Sequence, residues 1–235
     1  MPRKPRFYLP GVPVHVVQRG HSRGPIFFEE QDYAMYAHWL GEAAEKYDVI
    51  VHAFVFMTNH VHLLVTPPEA APMSRFMQFI GRHYVPYINH KYGRSGSVWE
   101  GRYKASLVQE DAYFLTVMRY IELNPVRAGM VRRPGQYRWS SFCHNAGVRE
   151  TRFLGFHALY DRLGDTPEER QQAYCALFNG HIEETDIKGI REAWQTGTPL
   201  GNDWFKEKIQ QQLKCKVGYA RRGRPAKSIA EEKGL

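Results

Sequence analysis

Two apolar runs separated by only two residues constrain the fold of this chain more than any other feature. Val49 to Met57 and His60 to Val65 are rich in β-branched and aromatic residues, and only Thr58-Asn59 stands between them. Runs of that length with a two-residue break form a tight antiparallel hairpin. Within the second run Val61, Leu63 and Val65 alternate with His60, His62 and Leu64. A period of two sends the first set to one sheet face and the second set to the other. The hairpin thus offers one apolar face to a core and presents two imidazoles on the opposite face.

The flanking segments supply the rest of a sheet. Gly11 to Gln18 is another β-rich run, carrying Val12, Val14, Val16 and Val17. Gln31 to Lys46 places Tyr33, Tyr36, Ala37, Leu40 and Ala44 at helical spacing. Met73 to His90 has the same period through Phe76, Phe79, Ile80 and Tyr84, and Pro86 is expected to kink or end it. Lys104 to Gln109 reads as a short fourth strand, and Asp111 to Leu123 as a helix with Asp111 at its N-cap. The order β-α-β-β-α-β followed by a helix is the split βαβ, ferredoxin-like order. It predicts an α+β fold, an antiparallel sheet with helices on one face. The other face or its margin is then open to a site.

Beyond about residue 150 the chain reads as helices only. Thr166-Pro167-Glu168-Glu169 is a capping box with proline at the first helical position. Helices are expected over 166–178, 184–195 and 202–214. Three regions follow: 1–145, a helical stretch over 150–213, and a basic, flexible tail over 214–235. No internal repeat is visible.

Charge narrows the class of partner. The chain carries a formal +8 with a pI near 9.4, which favours a polyanion such as nucleic acid. No apolar run reaches the roughly 18 residues of a membrane span. Met1-Pro2-Arg3-Lys4-Pro5-Arg6 is basic without a following apolar segment, unlike a secretory signal. Cys143, Cys175 and Cys215 have neither disulfide-framework nor zinc-knuckle spacing. A cytoplasmic, nucleoid-associated setting in a bacterium is expected.

Two histidines about 7 Å apart along one strand can converge on a divalent ion if a third ligand joins them; otherwise they are surface histidines on a half-exposed strand. An oxygen third ligand would suit Mg²⁺ or Mn²⁺ with a phosphate substrate. Tyr120 and Asn124, four residues apart, share a helix face beside the stripe Phe114, Val117, Met118 and Ile121. Pro125 should end that helix at Asn124, leaving the amide oxygen to accept a metal. Both residues also admit plain roles, Tyr120 as a half-buried aromatic and Asn124 as a C-cap.

Taken jointly, these residues resemble a known family. Met57-Thr58-Asn59-His60-Val61-His62-Leu63-Leu64-Val65 resembles the HUH segment of Y1, IS200-like transposases. Arg119-Tyr120-Ile121-Glu122-Leu123-Asn124-Pro125-Val126-Arg127-Ala128-Gly129 is similar to their tyrosine helix. Val98-Trp99-Glu100-Gly101-Arg102-Tyr103-Lys104 resembles the segment between the two. The nearest group is the REP-associated tyrosine transposases, relatives of the IS200/IS605 enzymes, and the resemblance spans roughly residues 6–145. Where that group often has Asn after an Arg-Gly pair, this chain has His21 after Arg19-Gly20.

The resemblance implies a tyrosine transposase that cuts and rejoins single-stranded DNA at or near hairpin-forming repeats through a 5′-phosphotyrosine. It makes Tyr120 the nucleophile, His60, His62 and Asn124 the metal ligands, and Mg²⁺ or Mn²⁺ the cofactor. Arg19, Arg102, Lys104 and Arg119 become candidate DNA contacts, with Trp99, Tyr103 and Tyr84 as candidate stacking platforms. In the tail, Arg222 and Arg224 sit in Arg222-Gly223-Arg224-Pro225, either an AT-hook-like core for the minor groove or a non-specific basic arm. Hairpin or single-stranded DNA is the expected partner, and a single nucleophilic tyrosine per chain makes a homodimer useful for paired strand transfer. Two alternatives are a non-catalytic hairpin binder and a phosphoesterase that uses water. The second would need more carboxylates near the histidines, and residues 50–70 offer only Glu69.

Overall fold

The computed structural model describes residues 6–70 and 72–217. Its sheet has four strands, β1 (Val14–Arg19), β2 (Ile50–Met57), β3 (His60–Thr66) and β4 (Lys104–Leu107), in the order β2-β3-β1-β4. Every neighbouring pair is antiparallel. Helix α1 (Glu30–Tyr47) joins β1 to β2 and α2 (Pro72–Lys91) joins β3 to β4. This is the ferredoxin-like arrangement expected from the element order. Thr58-Asn59 forms the hairpin turn between β2 and β3.

The period-two pattern decides the register. Val16 lies opposite Leu63, Val17 opposite His62 and Arg19 opposite His60. On one face Val14, Val16, Val61, Leu63 and Val65 pack with α1 and α2 in a single buried cluster. Full burial of each such side chain contributes about 1.5–3 kcal/mol. The two helices are also joined through Asp32, a fully buried carboxylate at the start of α1. It accepts hydrogen bonds from the Phe28 and Glu29 amides, from the Tyr87 and Tyr92 hydroxyls, and from Lys91 at the end of α2. These donors hold its carboxyl below the usual range even though burial pushes the other way. Such stitching and the burial of Tyr84 and Ile88 carry α2 past Pro86 to Lys91, so the proline does not end this helix.

The opposite face is covered by α3 (Glu110–Glu122) and by C-terminal helices other than the last, whose Phe205 and Ile209 join the first cluster. After α3 come the short helices α4 (Asn124–Arg127), α5 (Phe142–Asn145) and α6 (Ala158–Asp161). They are followed by α7 (Pro167–Ala176), α8 (Glu184–Thr196) and α9 (Asp203–Leu213). Ala53, Val55 and Leu64 share one buried cluster with Phe114, Val117 and Tyr120 of α3 and with Ile187, Ile190 and Ala193 of α8. The chain before residue 145 and the chain after 150 therefore build this cluster together.

Three local details depart from the sequence reading. The N-cap of α3 is Gln109, and Asp111 sits in the first turn, where its charge complements the helix dipole. The Gln109 side chain does not cap α3; its amide oxygen accepts from the Asn202 backbone, fixing the start of α9. Strand β4 stops at Leu107, and Val108 pairs instead with Leu200. Asn124 follows the α3 C-cap, Leu123, and begins α4, with Pro125 beside it at the helix start. Proline is tolerated there because first-turn amides need no intrahelical acceptor.

Candidate active site

All four histidines of the sheet lie on the α3 side. His15 and His62 are buried, at 0% and 2% exposure, and their rings stack with centroids 5.2 Å apart. His60 and His62 have ring centroids 5.1 Å apart, as expected for alternate residues of one strand. His52, at a register irregularity of β2, contacts Phe114 of α3. Burial lowers the His60 pKa to about 4 and holds His62 well below the ordinary imidazole range. Both rings are thus neutral near pH 7, the form that can coordinate a metal.

Tyr120 reaches the same place from α3. Its ring centroid lies 5.8 Å from that of His62 and 5.9 Å from that of His15, edge-on to both. The Arg127 guanidinium stands 5.0 Å from the Tyr120 ring centroid. One cavity of about 500 Å³ is lined by His60, His62, Tyr120 and Asn124. Arg19, Arg102 and Lys104 border it too. Two residues absent from the sequence reading, Arg191 and Trp194 of α8, form another part of its wall.

Each of the three candidate ligands has one polar atom tied back into the protein. Asn124 donates its amide nitrogen to the carbonyls of Tyr120 and Ile121, at 2.8 and 3.2 Å, which leaves its amide oxygen free to accept. His60 Nδ1 meets Asn59 Oδ1 at 2.7 Å, so its Nε2 is the remaining ring nitrogen. His62 Nδ1 meets His15 Nε2 at 2.9 Å, again leaving Nε2. For His62 Nε2 to offer a lone pair, His62 Nδ1–H must donate to His15, and His15 must carry its own hydrogen on Nδ1. His15 Nδ1 is buried and has no partner among the described residues. Two imidazoles and an amide oxygen are an acceptable donor set for a hard divalent ion. Among the described residues no three His, Cys, Asp or Glu side chains converge as a metal cluster.

Asn59 and Glu122 are the positioning residues that sequence reasoning missed. Besides orienting His60, Asn59 donates its amide nitrogen to Arg23 O, and its carbonyl accepts from the Gly20 amide. The hairpin turn is thereby clamped to the loop after β1. A Cβ at position 20 would come within 2.3 Å of Gly24 O, so this clamp requires glycine. Glu122 lies between Tyr120 and Asn124 in sequence but projects to the other side of the helix, since successive residues turn by about 100°. Its buried carboxyl receives Ser141 Oγ at 2.5 Å, Asn145 Nδ2 at 2.8 Å and Tyr174 OH at 2.7 Å. Burial nevertheless pushes its pKa up to about 7. These bonds hold the end of α3 against α5 and α7. A motif glutamate beside a tyrosine was the only signal, and its partners lie 19 to 52 residues away.

The candidate DNA contacts divide. Arg19 is at the cavity, paired with Glu100 at 2.6 Å. Lys104 places its ammonium 5.4 Å from the Trp194 ring centroid. Arg119 does not line the cavity, because its guanidinium donates to Gly180 O at 2.7 Å. Arg222 and Arg224 lie outside the described residues. The three candidate stacking aromatics are core groups. Tyr84 is fully buried and bonds Ile26 O, Trp99 packs against Tyr36 and Tyr84, and Tyr103 bonds Tyr8. Besides Tyr120, the phenol or indole that lines the cavity is Trp194.

A family model described as "Transposase IS200 like" matches residues 9–124, a span that includes every strand, the histidine pair, Tyr120 and Asn124. Over residues 9–124 the chain belongs to the IS200-like transposase family. Among solved structures, a REP-associated tyrosine transposase bound to a REP hairpin superposes with a TM-score of 0.54 at 18% identity. That match covers 67% of this chain and 99% of the other. A Deinococcus radiodurans protein provisionally assigned as a transposase gives 0.36 at 19% identity, over 52% of this chain and 96% of that one, too low to carry weight. No curated protein matches the sequence. Among the described residues no helix is long and apolar enough to cross a membrane.

Proposed function

We propose that this IS200-like transposase is a divalent-metal-assisted transesterase that cuts and rejoins single-stranded DNA beside hairpin-forming repeats. One observation carries the reading. His60, His62 and Asn124 each have one polar atom anchored in the protein, and all three line the cavity that holds Tyr120. Core packing alone gives no reason for three residues from two elements to be oriented in this way. The hairpin-bound structural neighbour supports hairpin DNA as the partner.

His60 Nε2, His62 Nε2 and Asn124 Oδ1 would hold Mg²⁺ or Mn²⁺. When bound, such an ion supplies Lewis-acid polarisation of a phosphate oxygen. Tyr120 Oη attacks the scissile phosphorus, so a Tyr–O–P bond forms as the bond from phosphorus to the 3′ oxygen breaks. The phenolic proton ends on the departing 3′ oxygen, giving a free 3′-OH and a 5′-phosphotyrosine. The reverse attack by a 3′-OH rejoins DNA without ATP, because the phosphodiester energy is kept in the tyrosine link. Arg19, Arg102 and Lys104 border the cavity, where their charges would hold flanking phosphates. All four candidate groups come from one chain, so cleavage needs no second copy; a dimer would serve to pair two strand ends.

The test mixes the protein with hairpin oligonucleotides taken from the DNA flanking its own gene, with Mg²⁺, with Mn²⁺ or with a chelator. A denaturing gel then reads covalent protein–DNA product. The expected result is a metal-dependent band that is missing from Tyr120→Phe. Tight hairpin binding without any band in either metal would turn the reading to a non-catalytic hairpin binder.

A further inference from the structure

The cavity has a wall that the family match does not reach. Helix α8 begins 60 residues after the matched span ends at Asn124, yet Arg191 and Trp194 border the same space as Tyr120. The apolar stripe Ile187, Ile190 and Ala193 seats α8 on the sheet. Arg191 and Trp194, three residues apart and hence on one helix face, fall beside that stripe, much as Tyr120 and Asn124 fall beside the stripe of α3. The segment after α8 fixes its height, since Leu200 N donates to Leu107 O at the end of β4.

Trp194 stands edge-on to His62, with ring centroids 6.2 Å apart, and carries Lys104 near its ring. Its indole N–H is buried and has no hydrogen-bond partner among the described residues. A phenyl ring would fill a core position without leaving that donor unpaired, so packing alone does not explain an indole here. Arg191 is exposed and has no ion pair among the described residues. The cavity lining holds Arg19, Lys104 and Arg191 against the single carboxylate of Glu100, which Arg19 already engages. An aromatic platform surrounded by excess positive charge matches a nucleotide, with its flat base and anionic phosphates.

We propose that Trp194 and Arg191 form a subsite for one unpaired nucleotide next to the phosphate that Tyr120 attacks. Trp194 stacks on the base, while Arg191 and Lys104 hold the backbone on either side of it. The subsite rests on the DNA-transesterase reading above. It also gives the C-terminal helices a direct part in selecting where the strand is cut.

The experiment measures affinity without metal, so it does not depend on cleavage. Fluorescence anisotropy compares hairpins that carry a four-nucleotide single-stranded tail on the 5′ or the 3′ side with the same hairpins lacking a tail. The tail should tighten binding to the unaltered protein, and replacing one tail base by an abasic site should remove about tenfold of that gain. Trp194→Ala should lose the same factor, show no further loss with the abasic tail, and bind the tailless hairpin unchanged. Trp194→Phe should keep most of the gain. Arg191→Ala should lower the slope of log affinity against log salt by close to one contact, about 0.7 for single-stranded DNA. Thermal melts establish that each variant is folded, and the abasic series tests the subsite without altering the protein. Equal abasic losses in the unaltered protein and Trp194→Ala would overturn the proposal, as would a tail that adds no affinity. A tail gain that requires Trp194, in a protein that never forms the covalent band, would keep the subsite and reject only the transesterase reading.

Discussion

The two faces of the sheet are made by alternate residues of the same strands, yet they carry different groups. The face toward α1 and α2 is built from Val14, Val16, Val61, Leu63 and Val65, and it packs against aromatic helices. The face toward α3 and α8 carries His15, His60, His62, Lys104 and Ser106, and a cavity opens above it. Buried polar atoms without partners among the described residues occur on both sides, Tyr36 OH and Trp99 Nε1 toward α1 and α2, and His15 Nδ1, Ser106 Oγ and Trp194 Nε1 toward α3 and α8. Unpaired polar groups lower stability. Both faces are packed, but only the second also carries the histidines and the cavity.

Substitutions can break this contrast. The largest effect is expected for Tyr120→Phe. It should abolish the covalent DNA adduct, to at least about 1,000-fold below the unaltered protein, since the proposed mechanism makes Tyr120 the nucleophile. Its melting temperature should stay close to that of the parent because the ring remains. A stable Tyr120→Phe that still forms the adduct would place the nucleophile elsewhere.

Leu63→Ala acts on the other face, where it should cost about 2–5 kcal/mol of stability in denaturant titration. Adduct formation per folded molecule should be unchanged. A loss of adduct in excess of the loss of folded protein would mean that the two faces are coupled.

Stability should also fall with acid through His52. Its Nδ1 meets Gly155 O and its Nε2 meets Thr66 Oγ1, so Nδ1–H donates to the carbonyl and Nε2 accepts from the hydroxyl. Burial lowers its pKa from 6.5 to about 4. The folded state therefore binds fewer protons than the unfolded state in that interval. The stabilising contribution is complete above pH 6.5 and is lost as pH falls through about 4, amounting to about 3 kcal/mol. Urea titrations at several pH values check this, and His52→Gln should flatten the profile between pH 6.5 and 4 relative to the parent. An identical profile in the variant would count against the assignment.

A smaller change is expected from His15→Phe, which preserves bulk but removes the partner of His62 Nδ1. Mn²⁺ affinity, followed by calorimetry or electron paramagnetic resonance, should weaken about 10–100-fold. Melting should shift little, because an unpaired buried nitrogen is removed at the same time. Unaltered Mn²⁺ binding would show that His62 keeps its orientation without His15.

Much of the fold was legible because its signals are local. A two-residue break between β-rich runs specifies a hairpin wherever it occurs, and alternation put Val61, Leu63 and Val65 on one side and the histidines on the other. The 3.6-residue period located α1, α2 and α3, and Thr166 to Glu169 marked the start of α7 by a cap that only four residues make. The four candidate site residues were legible for the same reason: His60 with His62 and Tyr120 with Asn124 are pairs at strand and helix spacing.

Tertiary structure decided whatever depends on groups distant in sequence. Periodicity says which face a side chain takes but not what will stand opposite it. That is why Trp99, Tyr103 and Tyr84 read equally well as stacking platforms and turned out to be core groups. Arg119 read as a phosphate contact until its acceptor at Gly180, 61 residues away, was in view. His15 became the partner of His62 only through the pairing of β1 with β3, which joins residues 47 positions apart. Trp194 and Arg191 gave no local sign at all. They reach the cavity because the apolar stripe of α8 has one sheet face to bury against, and docking that stripe turns the neighbouring residues toward Tyr120.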